Sequence, residues 1–415
     1  MPWIDARVVE RHSLFTKTRY QARWVYTGLG PPIRNGQFTV LDGRFVENTF
    51  ATNVELVDLG DVAVIPGLIN AHTHLEFSDL THPVEPRRSF SQWIQNVIHT
   101  RRTRTGTADA AIRRGLEECQ STGTTALAEI ATSDWILKHS LSNGPDIHFF
   151  REFLGLRAEQ VDDQLNAAKA FLEQARSAEI PNVGLSPHAP YSLHPKLFHG
   201  LCDLAGDFQV PVTMHLAESP AELELLANGT GPLVDLFTAL GLWRSDVIPT
   251  GTRPIQYLRR LVELPRVLIA HGNLFDTEEL DFVASSPNFS IAYCPRTHAA
   301  MQSGTHPWEQ MRSRGIPVAL GTDSRASNPD LSIWNELRFL HSRHPDRPAS
   351  ELLQLATANG AKALGLSALG TIHPGSRATF RIVTLPESAV DTPEQALFSG
   401  ELTGNIDWDD SRQIG

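Results

Sequence analysis

The sequence has few cysteines and no long apolar run. Its 415 residues include only three cysteines, Cys119, Cys202 and Cys294, which lie far apart and form no C-x-x-C pair. An odd, scattered set argues against a disulfide framework and is typical of a reducing cytoplasm. No stretch approaches the roughly 18 apolar residues of a membrane helix, and the N-terminus has no apolar signal core. We therefore expect a cytoplasmic protein that neither spans nor binds a membrane.

The sequence also has fewer positively charged than negatively charged residues. The chain contains 36 Lys and Arg residues against 47 Asp and Glu residues, which gives a net charge of −11. Nucleic-acid-binding proteins usually carry a basic patch, so we expect no nucleic-acid partner. Hydrophobic residues make up 41% of the chain and charged residues 20%, which indicates a packed core rather than disorder.

Short apolar runs alternate with longer stretches of helical pattern through most of the chain. The eight runs are rich in Val, Ile, Leu and Phe and occupy 62–72, 124–130, 147–155, 183–190, 210–218, 266–273, 289–297 and 316–324. Strands that are apolar throughout are typical of a parallel sheet with both faces covered. Eight β-then-α units predict a (β/α)8 TIM barrel, an α/β fold, and a doubly wound α/β fold is the alternative.

The two ends of the chain show a different pattern. Residues 17–61 contain strand patterns separated by turns that include Gly or Asp-Gly, and the chain after residue 366 again shows a strand pattern. We therefore predict a small β-rich subdomain built from residues 1–61 and 367–415, with the barrel at 62–366. The polar stretch 405–415 is predicted to be a mobile tail.

Polar side chains stand at the C-terminal ends of five of the eight predicted strands. These residues are His72, His74, His188, His215, Glu218, His271 and Asp323. Chemistry in a barrel of this kind takes place at the C-terminal ends of its strands. His72 and His74 point to the same side of one strand, because side chains alternate along it. The scattered residues are therefore expected to meet at one mouth of the barrel.

Such a set favours a metal site. Imidazole nitrogens with one carboxylate suit a divalent ion, with Zn²⁺ preferred and Fe²⁺ or Mn²⁺ as alternatives. A metal there would lower the pKa of a bound water towards ~7. Glu218 is then free to move protons, and His271 and Asp323 could orient the water. The run 183–190 contains no lysine that could be carboxylated to bridge two ions, so we expect one metal.

Each of these residues also has an ordinary structural interpretation. Asp323 precedes Ser324 and could cap a helix, and Glu218 could begin the helix that follows Ser219-Pro220. A single histidine at a strand end is more often a hydrogen-bonded structural residue than a ligand. The occurrence of such groups on five strands is what favours the site.

The motifs resemble those of the amidohydrolase superfamily. In family order they read "PGLINAHTHLEF", "SPHAPYSL", "MHLAES", "IAHGN", "CPRTHA", "GTDSRASNPDLSIWNEL" and "ATANGAKALGL". They are most similar to the mononuclear aminohydrolase branch, which includes S-adenosylhomocysteine and adenosine-type deaminases, guanine deaminase and chlorotriazine hydrolases. This resemblance implies a small-molecule substrate and, because relatives are often dimers or larger, a homo-oligomer.

The resemblance also implies roles for the residues at the strand ends. It assigns the metal to four ligands, which are His72, His74, His215 and Asp323. Glu218 would take a proton from the water and pass it to the ring nitrogen and the leaving ammonia. His271 would help to polarise the water, and His188 would contact the substrate.

Within this branch, four stretches look most like the aminofutalosine deaminases, which deaminate 6-amino-6-deoxyfutalosine. They are "HTHLEFSDL", "FSQWIQNVI", "FFREFLG" and "YCPRTHAAM". Adenosine-handling relatives have a ribose-binding Glu near an "FxEW"-like stretch, whereas residues 90–93 here read Phe-Ser-Gln-Trp. Ribose recognition is therefore expected to differ, or the substrate to lack a ribose.

Three further residues are candidates for substrate binding. Arg151 and Glu152 end the third predicted strand, and Arg296 follows the seventh. An arginine would pair bidentately with a carboxylated nucleoside, although a structural salt bridge explains Arg151 equally well.

The leading hypothesis is a metal-dependent deaminase of a purine-like ring. An amide, urea or chlorotriazine hydrolase with the same metal site is the second. An inactive barrel that serves as a binding protein is the third.

Overall fold

The structure is a computed structural model that describes residues 17–48, 54–138, 144–302, 304–387 and 392–407. Its strands are β1 (Thr18–Val25), β2 (Ile33–Leu41), β3 (Arg44–Val46), β4 (Glu55–Asp58), β5 (Val62–Pro66), β6 (Leu68–Thr73), β7 (Thr124–Ala131), β8 (Asp146–Phe153), β9 (Val183–Pro187), β10 (Val212–Leu216), β11 (Val267–His271), β12 (Phe289–Tyr293), β13 (Val318–Leu320), β14 (Thr379–Thr384) and β15 (Glu401–Asp407).

Helices follow most of the strands in the central part of the chain. They are α1 (Phe90–Thr103), α2 (Ala108–Ser121), α3 (Val161–Ser177), α4 (Pro195–Phe208), α5 (Pro220–Asn228), α6 (Pro232–Ala239), α7 (Pro254–Leu261), α8 (Thr277–Ala284), α9 (Pro295–Met301), α10 (Trp308–Ser313), α11 (Ile333–Arg343), α12 (Ala349–Leu355), α13 (Ala358–Leu364) and α14 (Pro393–Ala396). Several begin with proline, whose missing N–H costs nothing in the first turn. None of the described helices is both long and apolar enough to span a bilayer.

The eight strands β6 to β13 form one parallel sheet in chain order. A parallel bridge between Thr73 and Asp323 joins its two ends. There the carbonyl of His72 accepts the N–H groups of Thr322 (3.1 Å) and Asp323 (3.0 Å). The predicted (β/α)8 barrel is therefore confirmed, and this seam places the two terminal strands' polar ends side by side.

The remaining strands form a second sheet, as predicted for the chain ends. Its order is β15-β14-β5-β1-β2-β3, and β4 also pairs with β1. Aromatic rings fill its core, and the rings of Phe38 and Phe380 lie 5.0 Å apart between centroids. Alternating burial along β1 is the pattern of a sheet with one covered face.

The first predicted run, 62–72, is divided between the two sheets. β5 belongs to the small sheet and β6 to the barrel, with Gly67 between them. Close packing requires this glycine, because a Cβ there would lie 2.0 Å from Thr125 Oγ1. Periodicity did not reveal the division, because both halves are buried and apolar.

Contacts group the described residues into two compact units. The first takes its residues from Met1–Ile69, Thr122–Thr125 and Ile333–Gly415, and the second from Asn70–Ser121 and Ala126–Ser332. The predicted domain limits of 1–61, 62–366 and 367–415 stay a prediction.

The C-terminal stretch 405–415, predicted to be a mobile tail, begins within strand β15. The rest of it, 408–415, lies outside the described residues, as do residues 1–16.

Candidate metal centre and active site

Four side chains from the ends of three strands converge at the barrel mouth. His72 lies within β6, His74 directly after it, His215 within β10, and Asp323 after β13. His74 Nε2 is 3.2 Å from His215 Nε2. Asp323 Oδ1 is 3.7 Å from Nε2 of both His72 and His74. The structure thus brings together the four residues that the resemblance assigns to a metal.

The donor atoms fit a metal ion. Both ring nitrogens of His72 are buried and lack a hydrogen-bond partner among the described residues, which is costly for a polar group unless something binds it. His215 Nδ1 donates to the carbonyl of His188 (3.2 Å), which leaves the lone pair on Nε2. Tetrahedral zinc with Zn–N bonds of ~2.0–2.1 Å would separate two nitrogens by about 3.3 Å, close to the observed 3.2 Å.

The electrostatics keep these imidazoles neutral. Burial, followed by the neighbouring rings of His215, His74 and His188, lowers the pKa of His72 well below its usual value. Burial likewise lowers the pKa of His215 to about 4. Neutral imidazole is the form that binds metals, so the group is prepared for ligation.

Three strand ends leave the sheet through left-handed backbone. The φ angles are 54° at Ala217, 73° at His271 and 57° at Asp323. Non-glycine residues seldom adopt this conformation, which persists where the surrounding structure enforces it and is concentrated at functional sites. At Ala217, the N–H donates to Glu222 Oε1 (2.9 Å) and the carbonyl accepts the N–H of Leu274 (3.1 Å).

Glu218 lies beside the four candidate ligands, and its side chain is 8% exposed. Its backbone N–H donates to Glu222 Oε2 (2.9 Å), and its carbonyl accepts from Asn273 Nδ2 (2.9 Å). Burial raises the pKa of Glu218 well above its usual value, and the carboxylates of Asp323 and Glu222 raise it further. A carboxyl group with a raised pKa is suited to exchanging protons near neutral pH.

His271 faces Glu218, with its Nε2 atom 3.6 Å from Glu218 Oε1. Its backbone carbonyl accepts a hydrogen bond from Nε2 of the buried His306 (3.0 Å). The His306 ring is stacked on Tyr293, with the two centroids 3.8 Å apart. This support holds His271 where it could orient a water molecule next to Glu218.

His188 and Glu152 occupy the neighbouring part of the site. His188 shares a hydrogen bond with Ser192 through Nδ1 and Oγ (2.6 Å). Glu152 is buried, and its Oε1 has no hydrogen-bond partner among the described residues. Burial raises the pKa of Glu152 to about 8, and Arg101 opposes this shift. An unpaired polar atom in a pocket is a candidate contact for a ligand.

A pocket of about 380 Å³ opens above these groups, a size typical of small-molecule sites. The polar residues His74, His188, His215, Glu218 and Asp323 line one part of it. The pocket is also lined by apolar side chains from α1, α6 and the residues just after α6. They are Trp93, Ile94, Val97, Ile98, Phe237, Leu240 and Leu242.

The structure does not bring Arg151 or Arg296 into this pocket. Arg151 forms an ion pair with Asp134 and also donates to the carbonyl of Glu152 (2.6 Å). Arg296 binds both carboxylate oxygens of Asp330 (2.8 and 2.7 Å). Two other arginines, Arg101 and Arg157, do line the pocket, although neither was predicted.

Other supporting residues were also missed by the sequence reasoning. Ser327 Oγ donates to Asp323 Oδ2 (2.6 Å). Glu129 accepts the N–H of Leu75, which follows His74, and Glu222 accepts the N–H of Glu218. Glu222 had a sequence signal, because Ser219-x-x-Glu222 is a capping-box pattern. Ser219 Oγ does accept the Glu222 N–H at the start of α5.

The profile of one protein family, the amidohydrolase family, matches residues 63–407 of this chain. The chain belongs to the amidohydrolase family. It is therefore a hydrolase that acts on carbon–nitrogen bonds. Members of the family bind a divalent metal, in keeping with the His and Asp group described above.

Two known proteins are similar in sequence. The 5-methylthioadenosine/S-adenosylhomocysteine deaminase of Pyrococcus furiosus is 29% identical over 374 residues, which cover 85% of this chain and 83% of that protein. The aminodeoxyfutalosine deaminase of Deinococcus radiodurans is 29% identical over 314 residues, which cover 73% of each.

Solved structures share the fold. Helicobacter pylori aminofutalosine deaminase in complex with methylthio-coformycin has a TM-score of 0.77 at 23% identity, and the match covers 93% of this chain and 97% of that one. A Xanthomonas campestris adenosine deaminase with bound zinc has a TM-score of 0.69 at 21% identity, with 96% of each chain covered.

Proposed function

We propose that this protein is a metal-dependent deaminase that removes the amino group from a purine-like ring of a nucleoside. The convergence of His72, His74, His215 and Asp323 beside Glu218 carries the proposal. It unites the ligands for one metal with a buried carboxyl group that can transfer protons.

The four converging residues would hold one divalent ion, and we propose zinc. The bound ion would lower the pKa of water towards ~7 and so supply a nucleophile at neutral pH. Support for zinc comes from the donor set of three imidazoles and one carboxylate and from the short distance between the histidine nitrogens.

Glu218 would act as the acid and base. Its carboxylate accepts a proton from the water that attacks the amino-bearing ring carbon and delivers it to the adjacent ring nitrogen. A second proton from the attacking oxygen then passes through Glu218 to the amino group, which leaves as ammonia. His271, 3.6 Å from Glu218 Oε1, would orient the attacking water.

The pocket supports a heteroaromatic amine as substrate. His188 and the unpaired oxygen of Glu152 could bind polar edges of a ring, and the wall that includes Trp93 could cover its apolar face. The two relatives named above deaminate adenosine-type compounds, so an adenosine derivative or 6-amino-6-deoxyfutalosine is our candidate. We place the reaction in the cytoplasm, in agreement with the three cysteines, none of which forms a disulfide.

Ammonia release by zinc-loaded protein tests this proposal. The panel contains adenosine, S-adenosylhomocysteine, methylthioadenosine, aminodeoxyfutalosine, guanine and cytosine, together with a chlorotriazine and an aryl amide. We expect rapid release from one adenine nucleoside. Turnover of the chlorotriazine or the amide alone would refute deamination and favour the alternative hydrolase.

A further inference from the structure

His72 and His74 are held in different ways. His72 lies inside β6, where backbone pairing across the barrel seam fixes it. His74 lies one residue beyond the strand, at the entrance to a short 3-10 helix, Leu75–Phe77. A residue outside the ladder needs another constraint if its imidazole is to stay in position.

Glu129 supplies contacts on both sides of His74. Its Oε2 atom accepts the N–H of Leu75 at 3.0 Å and lies 3.0 Å from Thr73 Oγ1, a hydroxyl that is also 2.9 Å from the carbonyl oxygen of Ala128. The same carboxyl oxygen therefore binds the residue before His74 and the residue after it. This pair of contacts, the Glu129 clasp, restricts the backbone torsions that direct the His74 imidazole towards His215 and Asp323.

The position of Glu129 also calls for an explanation. It lies near the C-terminal end of β7, which is buried throughout, and it is only 1% exposed. Burying a carboxyl group is costly unless its hydrogen bonds are satisfied. Glu129 does not line the pocket, so direct contact with a substrate does not account for it.

We propose that Glu129 is a positioning residue that holds His74 in the geometry required to bind the metal ion. The inference rests on the metal site of the proposed function. Groups that orient metal ligands typically contribute 10- to 100-fold to metal affinity.

Zinc affinity of metal-free protein, measured by competition with a chromogenic chelator, provides the test without any need for turnover. Glu129→Leu removes the clasp, and we expect about 10- to 100-fold weaker binding. Glu129→Gln keeps an oxygen acceptor for the Leu75 N–H and should bind zinc almost as wild type does. Thr73→Val removes one of the two contacts, together with the hydroxyl's contact to the Ala128 carbonyl. It should give an intermediate loss and provides a second test if Glu129→Leu does not fold.

Glu279→Leu is the matched control. Glu279 is also a buried glutamate, 2% exposed, and its carboxylate accepts the N–H of Asp276 at the start of α8. This change should lower the thermal midpoint and leave zinc affinity unchanged.

Two results would overturn the inference alone: unchanged zinc affinity in folded Glu129→Leu and Thr73→Val, or an equal loss in Glu279→Leu. Wild-type protein that binds no divalent ion would overturn the proposed function and this inference with it.

Discussion

Replacement of Glu218 by glutamine separates proton transfer from structure. Glutamine has nearly the same shape, and the main-chain hydrogen bonds to Glu222 and from Asn273 do not involve the altered atoms. The backbone next to His215 should therefore stay in place. What the variant loses is a group that can accept and donate a proton.

The expected loss of activity follows from that single change. A positioned acid or base typically contributes about 10²- to 10⁴-fold to the rate, which corresponds to about 2.7 to 5.4 kcal/mol of activation free energy. We expect kcat to fall within this range. KM should change little, because Glu218 acts mainly on the transferring proton.

Stability should change in the opposite direction. Burial and the nearby carboxylates of Asp323 and Glu222 disfavour the charged form of Glu218, as its raised pKa shows. A group whose pKa is raised by folding destabilises the protein as the pH rises through that pKa. Neutral glutamine has no such penalty, so in metal-free protein the thermal midpoint of Glu218→Gln should equal or exceed that of wild type at pH 8.

Ammonia release and zinc content measured on the zinc-loaded protein, and thermal unfolding measured on the metal-free protein, provide the assay. Glu224→Gln on the exposed face of α5 is the matched control and should leave all three unchanged. Equal turnover in Glu218→Gln would refute the acid–base assignment. Loss of zinc would show instead that Glu218 is a metal ligand.

Four further outcomes are expected. His215→Ala should lower the zinc content measured by elemental analysis, and unchanged stoichiometry would contradict its assignment as a ligand. Chelation should abolish ammonia release and added zinc should restore it; activity that survives verified metal removal would exclude a metal-dependent reaction. Glu152→Gln should raise KM more than it lowers kcat, and an unchanged KM would remove Glu152 from substrate binding. Gly67→Ala should destabilise the protein by about 1–3 kcal/mol, because its Cβ would lie 2.0 Å from Thr125 Oγ1; an unchanged thermal midpoint would contradict this packing argument.

The barrel and most of the candidate site were predictable because both depend on local patterns. Buried parallel strands are apolar along their length, so each of the eight runs was recognisable in isolation. The barrel then requires all strands to end on the same side. His72, His215 and His271 could therefore be placed together although they are distant in the chain.

The exceptions are residues whose role depends on a partner far away in sequence. Arg151 and Arg296 stand near strand ends, as pocket residues would, yet Asp134 and Asp330 hold them in ion pairs. Glu129 appears in the sequence as the one charged residue of its strand, β7. Its function as a clasp depends on Thr73, 56 residues away.

The order of the strands and the end of the barrel at which chemistry takes place could thus be predicted from the sequence, because burial makes each strand apolar separately. The 3.2 Å approach of His74 to His215, the contacts of Glu129 with Thr73 and Leu75, and the pairing of the arginines could not be predicted in this way. They arise from packing between segments that are remote in the chain, where shifts of about 1 Å determine which atoms can bind each other.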